Sequence, residues 1–157
     1  MNNNYLNIYN NLIKLTRNKK LYIKLNSPDT FSDRLIILFF HLSFLLNVYK
    51  NENSNKYMQD LFDFIIKHLE ISIREIGYGD VSVNKQMKNY INLLYSIIEQ
   101  IELWSSSSNK FKSDLMKKYL NTANNINYYV DYFEKYRVFL LNNTLNSFTK
   151  DIISFKF

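Results

Sequence analysis

Apolar side chains recur every three or four residues along most of the chain, which is the spacing of one face of an α-helix. This spacing predicts a short amphipathic helix over 5–17, a nearly continuous apolar helix over 35–49 and a third helix over 58–76. Further helices are predicted over 83–104, 111–120 and 126–145, the last with Leu140 and Leu141 facing inward. The alternation of apolar and polar residues that is typical of strands is weak everywhere. The pattern therefore predicts an all-α fold.

Polar and turn-forming residues separate these helices. Thr30 and Asp33 have the spacing of a capping box at the start of the second helix. Gly77 follows the third helix, where a residue with positive φ commonly ends a helix, and Asp80 and Ser82 are predicted to cap the fourth. We expect a single domain of about five to six packed helices, with a glycine-containing corner between the third and fourth. Residues 1–28 are predicted to form a basic N-terminal helix or arm, and 29–157 the helical domain.

The composition narrows the possible chemistry. The 157 residues include no cysteine and only two glycines, which excludes disulfides, thiol catalysis and glycine-rich phosphate loops. The two histidines lack the spacing of a helical metal site, and the paired acids fall on polar helix faces. We therefore expect no catalytic residues, no metal and no cofactor, and hence no enzyme. The apolar stretch 35–46 is shorter than a membrane span, and the N-terminus lacks the pattern of a signal peptide.

The positive charge of the chain is concentrated near its N-terminus. The net charge is +6, and the first 28 residues contain five basic residues and no acid. Such a segment suits an anionic partner, which could be RNA, lipid headgroups or an acidic protein face. The alternative is an ordinary solvated helix end. The candidate residues for anion binding are Lys14, Arg17, Lys19, Lys20 and Lys24.

Both glycines fall within 73–85, although the composition of the chain disfavours glycine. Gly77 is predicted to adopt positive φ, and Gly79 to allow two helices to approach closely. Arg74 is predicted to pair with Glu75 or Asp80 in a polar node. A purely structural turn between two helices is the alternative interpretation.

The run Arg74-Glu75-Ile76-Gly77-Tyr78-Gly79-Asp80, followed by Val83 and Lys85, resembles the Arg-Glu-Met-Gly-Val-Gly-Asp core of the ubiquinol–cytochrome c chaperone family. The resemblance covers roughly 28–104. Other positions that resemble the family are Asp29-Thr30-Phe31, Arg34, His41, Gln59 to Phe62, Glu70, Met87, Lys88 and Tyr95. The chain departs from the family pattern at His68, Ser96 and Ile97.

The resemblance implies a helical, non-enzymatic protein that helps to assemble the cytochrome bc1 complex. Its expected client is newly made cytochrome b or another bc1 subunit, with a small partner protein and the ribosome as further expected partners. The location implied is a bacterial cytoplasm, peripheral to the inner membrane. The alternative function is a basic helical module that binds RNA, the ribosome or an anionic membrane surface without a chaperone role; DNA is not an expected partner. The candidate partner-binding residues are Arg34, His41, Arg74, Glu75, Gly77, Gly79, Asp80, Lys85 and Tyr95.

Overall fold

The most apolar segment of the chain forms a central helix, α2 (Phe31–Tyr49). It begins at a complete capping box: the Thr30 hydroxyl accepts a hydrogen bond from the Asp33 amide, and the Asp33 carboxylate accepts one from the Thr30 amide, both at 3.2 Å. The capping box predicted from the sequence is thereby confirmed. The structure is a computed structural model that describes residues 2–23, 25, 30–77, 79–121, 123–150 and 155. Helix α2 contacts α1 (Asn2–Thr16) and two later helices.

Six α-helices make up most of the described residues, so the predicted all-α single domain is confirmed. Helix α4 packs on α2 and α3, and α6 packs on α2 and α5. Short 3-10 turns follow α1, α4 and α6. An isolated antiparallel bridge joins Leu25 to Ala123. The remaining helices are α3 (Asn55–Glu75), α4 (Asp80–Glu102), α5 (Asn109–Tyr119) and α6 (Ile126–Leu141).

Several predicted helix boundaries are wrong, and α1 and α3 each begin three residues earlier than predicted. Helix α4 begins at Asp80, three residues earlier than predicted, because Gly79 has the extended conformation of an N-cap residue. Helix α6 ends at Leu141, and residues up to Thr149 form a separate 3-10 turn. Leu141 is exposed rather than facing inward as predicted.

Helix α1 belongs to the main core. Tyr5, Ile8 and Leu12 are buried together with the apolar residues of α2 and α3. The Asn11 amide, also buried, donates hydrogen bonds to the carbonyls of Phe148 and Lys150, at 2.5 and 2.7 Å. The sequence-based division between 28 and 29 stays a prediction, because residues 26–29 lie outside the described residues.

In the part of the chain that the structure describes, α2 is the one helix long and apolar enough to cross a membrane. The stretch 35–46 is the apolar middle of this 19-residue helix, in which a window of 18 residues has a mean hydropathy of 1.5. That it is not a membrane span stays a prediction. Its neighbours α1, α4 and α6 bury much of it. This arrangement is typical of a core helix.

The centre of the core is an aromatic cluster between α2 and α6. His41 is fully buried there, with its Nδ1 2.8 Å from the Ile37 carbonyl and its Nε2 2.5 Å from the Tyr132 hydroxyl. Because a carbonyl can only accept, Nδ1 carries the proton and Nε2 accepts from Tyr132. Burial lowers the pKa of His41 to about 3. The Tyr136 hydroxyl donates to the His41 carbonyl at 3.0 Å. Both ring nitrogens and the carbonyl of His41 therefore have hydrogen-bond partners.

Candidate partner-binding site

The turn between α3 and α4 contains both glycines, and four exposed side chains lie in it or beside it; we call Arg74, Glu75, Ile76, Gly77, Gly79 and Val81 the glycine corner. Gly77 has φ of 104°, a conformation that side-chain-bearing residues rarely adopt. Its amide donates to the Arg74 carbonyl at 3.0 Å, which satisfies one of the last carbonyls of α3. The prediction that Gly77 ends the third helix with positive φ is confirmed.

Gly79 has no corresponding conformational reason to be glycine. Its φ of −67° and ψ of 157° suit any residue, and a Cβ placed there would meet no atom within 4 Å. The predicted close approach of two helices at Gly79 is therefore wrong. The predicted capping by Asp80 and Ser82 is also wrong, because both residues lie inside α4 and the N-cap itself has no side chain to accept a bond. The Asp80 side chain lies outside the described residues.

Two apolar side chains at the glycine corner face solvent. Ile76 is 58% exposed and Val81 is 84% exposed. They lie on either side of the two glycines, which are themselves exposed, so the corner combines apolar surface with exposed backbone. Removing apolar surface from water is favourable by about 25 cal/mol per Å². A partner that covers Ile76 and Val81 would therefore gain binding free energy from the burial of their exposed surface.

The polar part of the corner includes an ion pair that was not predicted. The Arg74 guanidinium pairs with Glu70, one turn earlier on α3, through N–O distances of 2.8 and 3.3 Å. An exposed pair of this kind adds only about 0–1 kcal/mol to stability. Glu75 is exposed. A contact between Arg74 and Asp80 stays a prediction.

A groove lies at the other end of the hairpin that α3 and α4 form, roughly 20 Å from the corner at 1.5 Å per residue. Phe62 of α3 and Tyr95 of α4 stack there, with ring centroids 5.7 Å apart. Tyr95 keeps half of its surface exposed. The groove has a volume of about 340 Å³, and its other lining residues are Leu46, Lys50, Asn55, Met58, Gln59 and Ile98. Sequence reasoning named Tyr95, Gln59 and Phe62 separately but did not predict that they meet.

The remaining candidate residues lie outside the glycine corner and the groove. Lys85 is exposed on α4, and Arg34 is exposed at the start of α2, beside α1. His41 has no exposed surface, so the prediction that it contacts a partner is wrong; burial between α2 and α6 gives it a role in the core. Its place in an aromatic-rich apolar run was the signal for this structural role.

The basic residues near the N-terminus are solvent-accessible where the structure describes them. Lys14 and Arg17 lie at the end of α1, and Lys19 and Lys20 in the following 3-10 turn; all four are exposed. Lys24 lies outside the described residues. Their role in binding an anionic partner stays a prediction.

The three departures from the family pattern face other parts of this chain. Ile97 is fully buried in α4, and the Ser96 hydroxyl lies 2.7 Å from the Tyr119 hydroxyl of α5. His68 packs against the rings of Tyr9 and Phe64. The departures therefore change internal packing, with Ser96 linking α4 to α5.

Among the described residues, no group of three or more histidine, aspartate or glutamate side chains is arranged to hold a metal ion. The expectations of no catalytic residue, no metal and no cofactor stay predictions.

The fold and the glycine corner define the class of protein. It is a small helical protein whose Arg-Glu-x-Gly-x-Gly-Asp turn is a candidate protein-binding site. The sequence model of the ubiquinol-cytochrome C chaperone family matches residues 24–122, which is more than half of the chain. The chain therefore belongs to the ubiquinol–cytochrome c chaperone family. The matched range contains α2 to α5, the corner and the groove. No curated protein and no solved structure matches the chain.

Proposed function

We propose that this protein is an assembly chaperone of the cytochrome bc1 complex that holds cytochrome b, or another hydrophobic subunit, against its α3–α4 hairpin. Family membership supports the role in bc1 assembly. The choice of cytochrome b as client rests on the resemblance of the sequence to the family. This is a binding function, and the proposal assigns no catalytic residue.

The observation that carries the proposal is the exposed glycine corner. Gly79 lacks a side chain although the fold leaves open space for one, and Ile76 and Val81 beside it face solvent. A client helix or strand that lies on this corner would bury both side chains and could bring its backbone close to Gly79. Contact with a client therefore accounts for the glycine at position 79, whereas contacts within the domain do not.

The groove at the far end of the hairpin is a second feature of the α3–α4 hairpin that suits a hydrophobic client. The Phe62–Tyr95 stack offers an aromatic platform, and Met58 beside it is a flexible apolar side chain that adapts to different partners. Lys50 at the rim pairs with Glu102 of α4 at 2.5 Å. A hydrophobic client segment of about 14 residues in helical form would span the distance from the groove to the corner.

The test compares two exposed valines. Val81 lies at the corner, and Val138 lies on α6, outside the range that matches the family. Cytochrome b is synthesised in a cell-free system with vesicles and the purified chain, and the amount captured on the chain is measured. Val81→Asp should reduce capture at least tenfold, because burying the valine side chain is worth about 1.5–3 kcal/mol. Val138→Asp should capture as much as the parent.

Equal capture by the parent and by Val81→Asp, with both folded by circular dichroism, would overturn the placement of the client on the corner. If the parent captures neither cytochrome b nor any other bc1 subunit, the chaperone proposal itself is wrong. The small partner protein of the family can be added to the same reaction, because it is expected to raise capture without changing the ranking of the variants.

A second candidate function is docking to RNA, to the ribosome or to an anionic membrane through the basic residues. The exposure of Lys19 and Lys20 in the turn after α1 favours it. Charge reversal at both positions should abolish co-sedimentation with ribosomes or anionic vesicles at low salt and leave the fold intact. Binding should fall steeply across a salt series, because polyanions release counterions. A flat salt response with both particles would leave these lysines as a solvated helix end.

A further inference from the structure

We propose that a cavity between α1, α2 and α3 binds a phosphate ester that carries an apolar chain, such as an anionic lipid headgroup with the first part of its acyl chain. The cavity has a volume of about 530 Å³. Volumes of 300–1,000 Å³ are typical of sites for small molecules. The proposal does not depend on a chaperone role, since it concerns a different face of the molecule.

Three cations surround this cavity. Lys14 and Arg17 come from the end of α1, and Arg34 comes from the first turn of α2. All three side chains are exposed, so a ligand can reach them from solvent. Among the described residues that line the cavity, none is acidic. The folded chain thus concentrates positive charge from two distant sequence segments around one opening, which favours an anion.

Arginine suits a phosphate in particular. Its planar guanidinium donates two parallel hydrogen bonds to two phosphate oxygens, and charge-assisted bonds of this kind are about twice as strong as neutral ones. Arg17 and Arg34 both line the cavity, so two guanidinium groups border the space that the phosphate would occupy. Lys14 adds a third charge.

The floor of the cavity is apolar. Leu35 and Leu38 of α2 and Leu69 of α3 line it, and each is buried in the fold. A bare inorganic anion would gain nothing from these side chains, whereas a short hydrocarbon chain would be removed from water against them. The combination of a basic opening and an apolar floor therefore favours an amphiphilic ligand.

A buried polar atom in the cavity wall also lacks a partner. Thr16 is 5% exposed, and its hydroxyl has no hydrogen-bond partner among the described residues. Leaving a buried hydroxyl unsatisfied is unfavourable, and hydroxyls in this position are normally hydrogen-bonded. Because Thr16 lines the same cavity as the three cations, an oxygen of a bound phosphate ester would satisfy it.

Calorimetric titration with dihexanoyl-phosphatidylglycerol, kept below its micelle concentration, tests the site on the full-length chain. The parent should bind it at least tenfold more tightly than dihexanoyl-phosphatidylcholine, which has no net charge. Arg17→Gln and Arg34→Gln should each weaken binding about tenfold, since a hydrogen bond to a charged group is worth roughly 1.5–3 kcal/mol. Lys67→Gln on α3 and Lys117→Gln on α5 are the matched controls, because both lysines are exposed and neither lines the cavity, and both variants should bind as the parent does.

Thr16→Val separates binding from folding. Valine has nearly the same shape without the hydroxyl, so the thermal midpoint of the free protein should not fall, whereas lipid affinity should fall severalfold. Equal binding of the two lipids, or parent-like binding by both arginine variants, would overturn the proposal. Inorganic phosphate that binds as tightly as the lipid would overturn the role of the apolar floor.

Two further arms identify the source of the ligand. Binding to vesicles containing phosphatidylglycerol that is weakened by Arg34→Gln would support a membrane lipid as the ligand. Binding of the dispersed lipid without binding to such vesicles would support a soluble phosphate ester with an apolar chain.

Discussion

The aromatic cluster between α2 and α6 and the glycine corner between α3 and α4 differ in how far contacts within the chain account for their residues. In the cluster, His41 and four tyrosine hydroxyls are buried, and each has a hydrogen-bond partner. At the corner, Ile76 and Val81 face solvent and Gly79 leaves space unfilled. Interactions within the chain explain His41 and these tyrosines, whereas at the corner they explain Gly77 but not Gly79 or the two apolar side chains.

The difference separates residues that stabilise the fold from residues available for binding. Substitutions in the cluster should reduce stability strongly, and any loss of binding should follow from the loss of folded protein. Apart from those at Gly77, substitutions at the corner should leave stability nearly unchanged and act on binding directly. The two regions therefore make contrasting predictions that can be measured on the same protein.

The largest effect is expected for Phe44→Ala. Phe44 is fully buried, with its ring 5.5 Å from that of Phe133 and 5.1 Å from that of Trp104. Truncation leaves a cavity and should lower the free energy of unfolding by about 3–5 kcal/mol. Chemical denaturation measures the change. Val81→Ala at the corner should change it by less than about 0.5 kcal/mol, and similar losses for the two variants would remove the contrast.

The next effect is a pH dependence due to His41. Burial lowers its pKa from the ordinary 6.5 to about 3, so the folded state resists protonation while the unfolded state accepts a proton near pH 6.5. Stability is therefore complete above pH 6.5 and is lost as the pH falls from 6.5 towards 3. The loss from this group should be about 2 kcal/mol between pH 7 and pH 5.

Denaturation at pH 7 and pH 5 measures this slope, and His41→Gln should flatten it by that amount. Nuclear magnetic resonance of the imidazole provides a check that requires no variant: the ring should stay neutral down to pH 5. A His41 ring that titrates near pH 6.5 would contradict the buried, satisfied state described here.

A smaller effect distinguishes the two glycines. Gly77→Ala should lower the free energy of unfolding by about 1 kcal/mol, because it forces a side-chain-bearing residue into positive φ. Gly79→Asn should raise it by a few tenths of a kcal/mol, because asparagine is a better N-cap than glycine and the space for it is open. Equal destabilisation by both variants in a denaturant melt would show that Gly79 has a role in folding after all.

The sequence allowed prediction of features that depend on neighbours along the chain. The Thr30 capping box and the positive φ of Gly77 follow from spacings of a few residues, and both are confirmed. The predicted start of α4 is three residues too late. Gly79 takes the N-cap position in an extended conformation and has no side chain whose capping hydrogen bond a sequence pattern could indicate.

Features that depend on distant contacts were not predicted. Arg34 was grouped with the partner-binding residues, and Lys14 and Arg17 with a basic arm, yet all three line one cavity because α1 packs on α2. The stack of Phe62 on Tyr95 similarly depends on how α3 packs on α4. The resemblance to the family places His41 among the partner-binding candidates; its hydrogen bond to Tyr132, 91 positions away, could not be read from the local sequence.

The most direct test of the proposed chaperone surface is client capture by Gly79→Asn. The fold accepts this side chain, so the account predicts a protein at least as stable as the parent that has lost most of its capture of newly made cytochrome b. The Val138→Asp variant, measured beside it, should retain full capture. Parent-like capture by a stable, folded Gly79→Asn protein would contradict the claim that the client lies on the glycine corner.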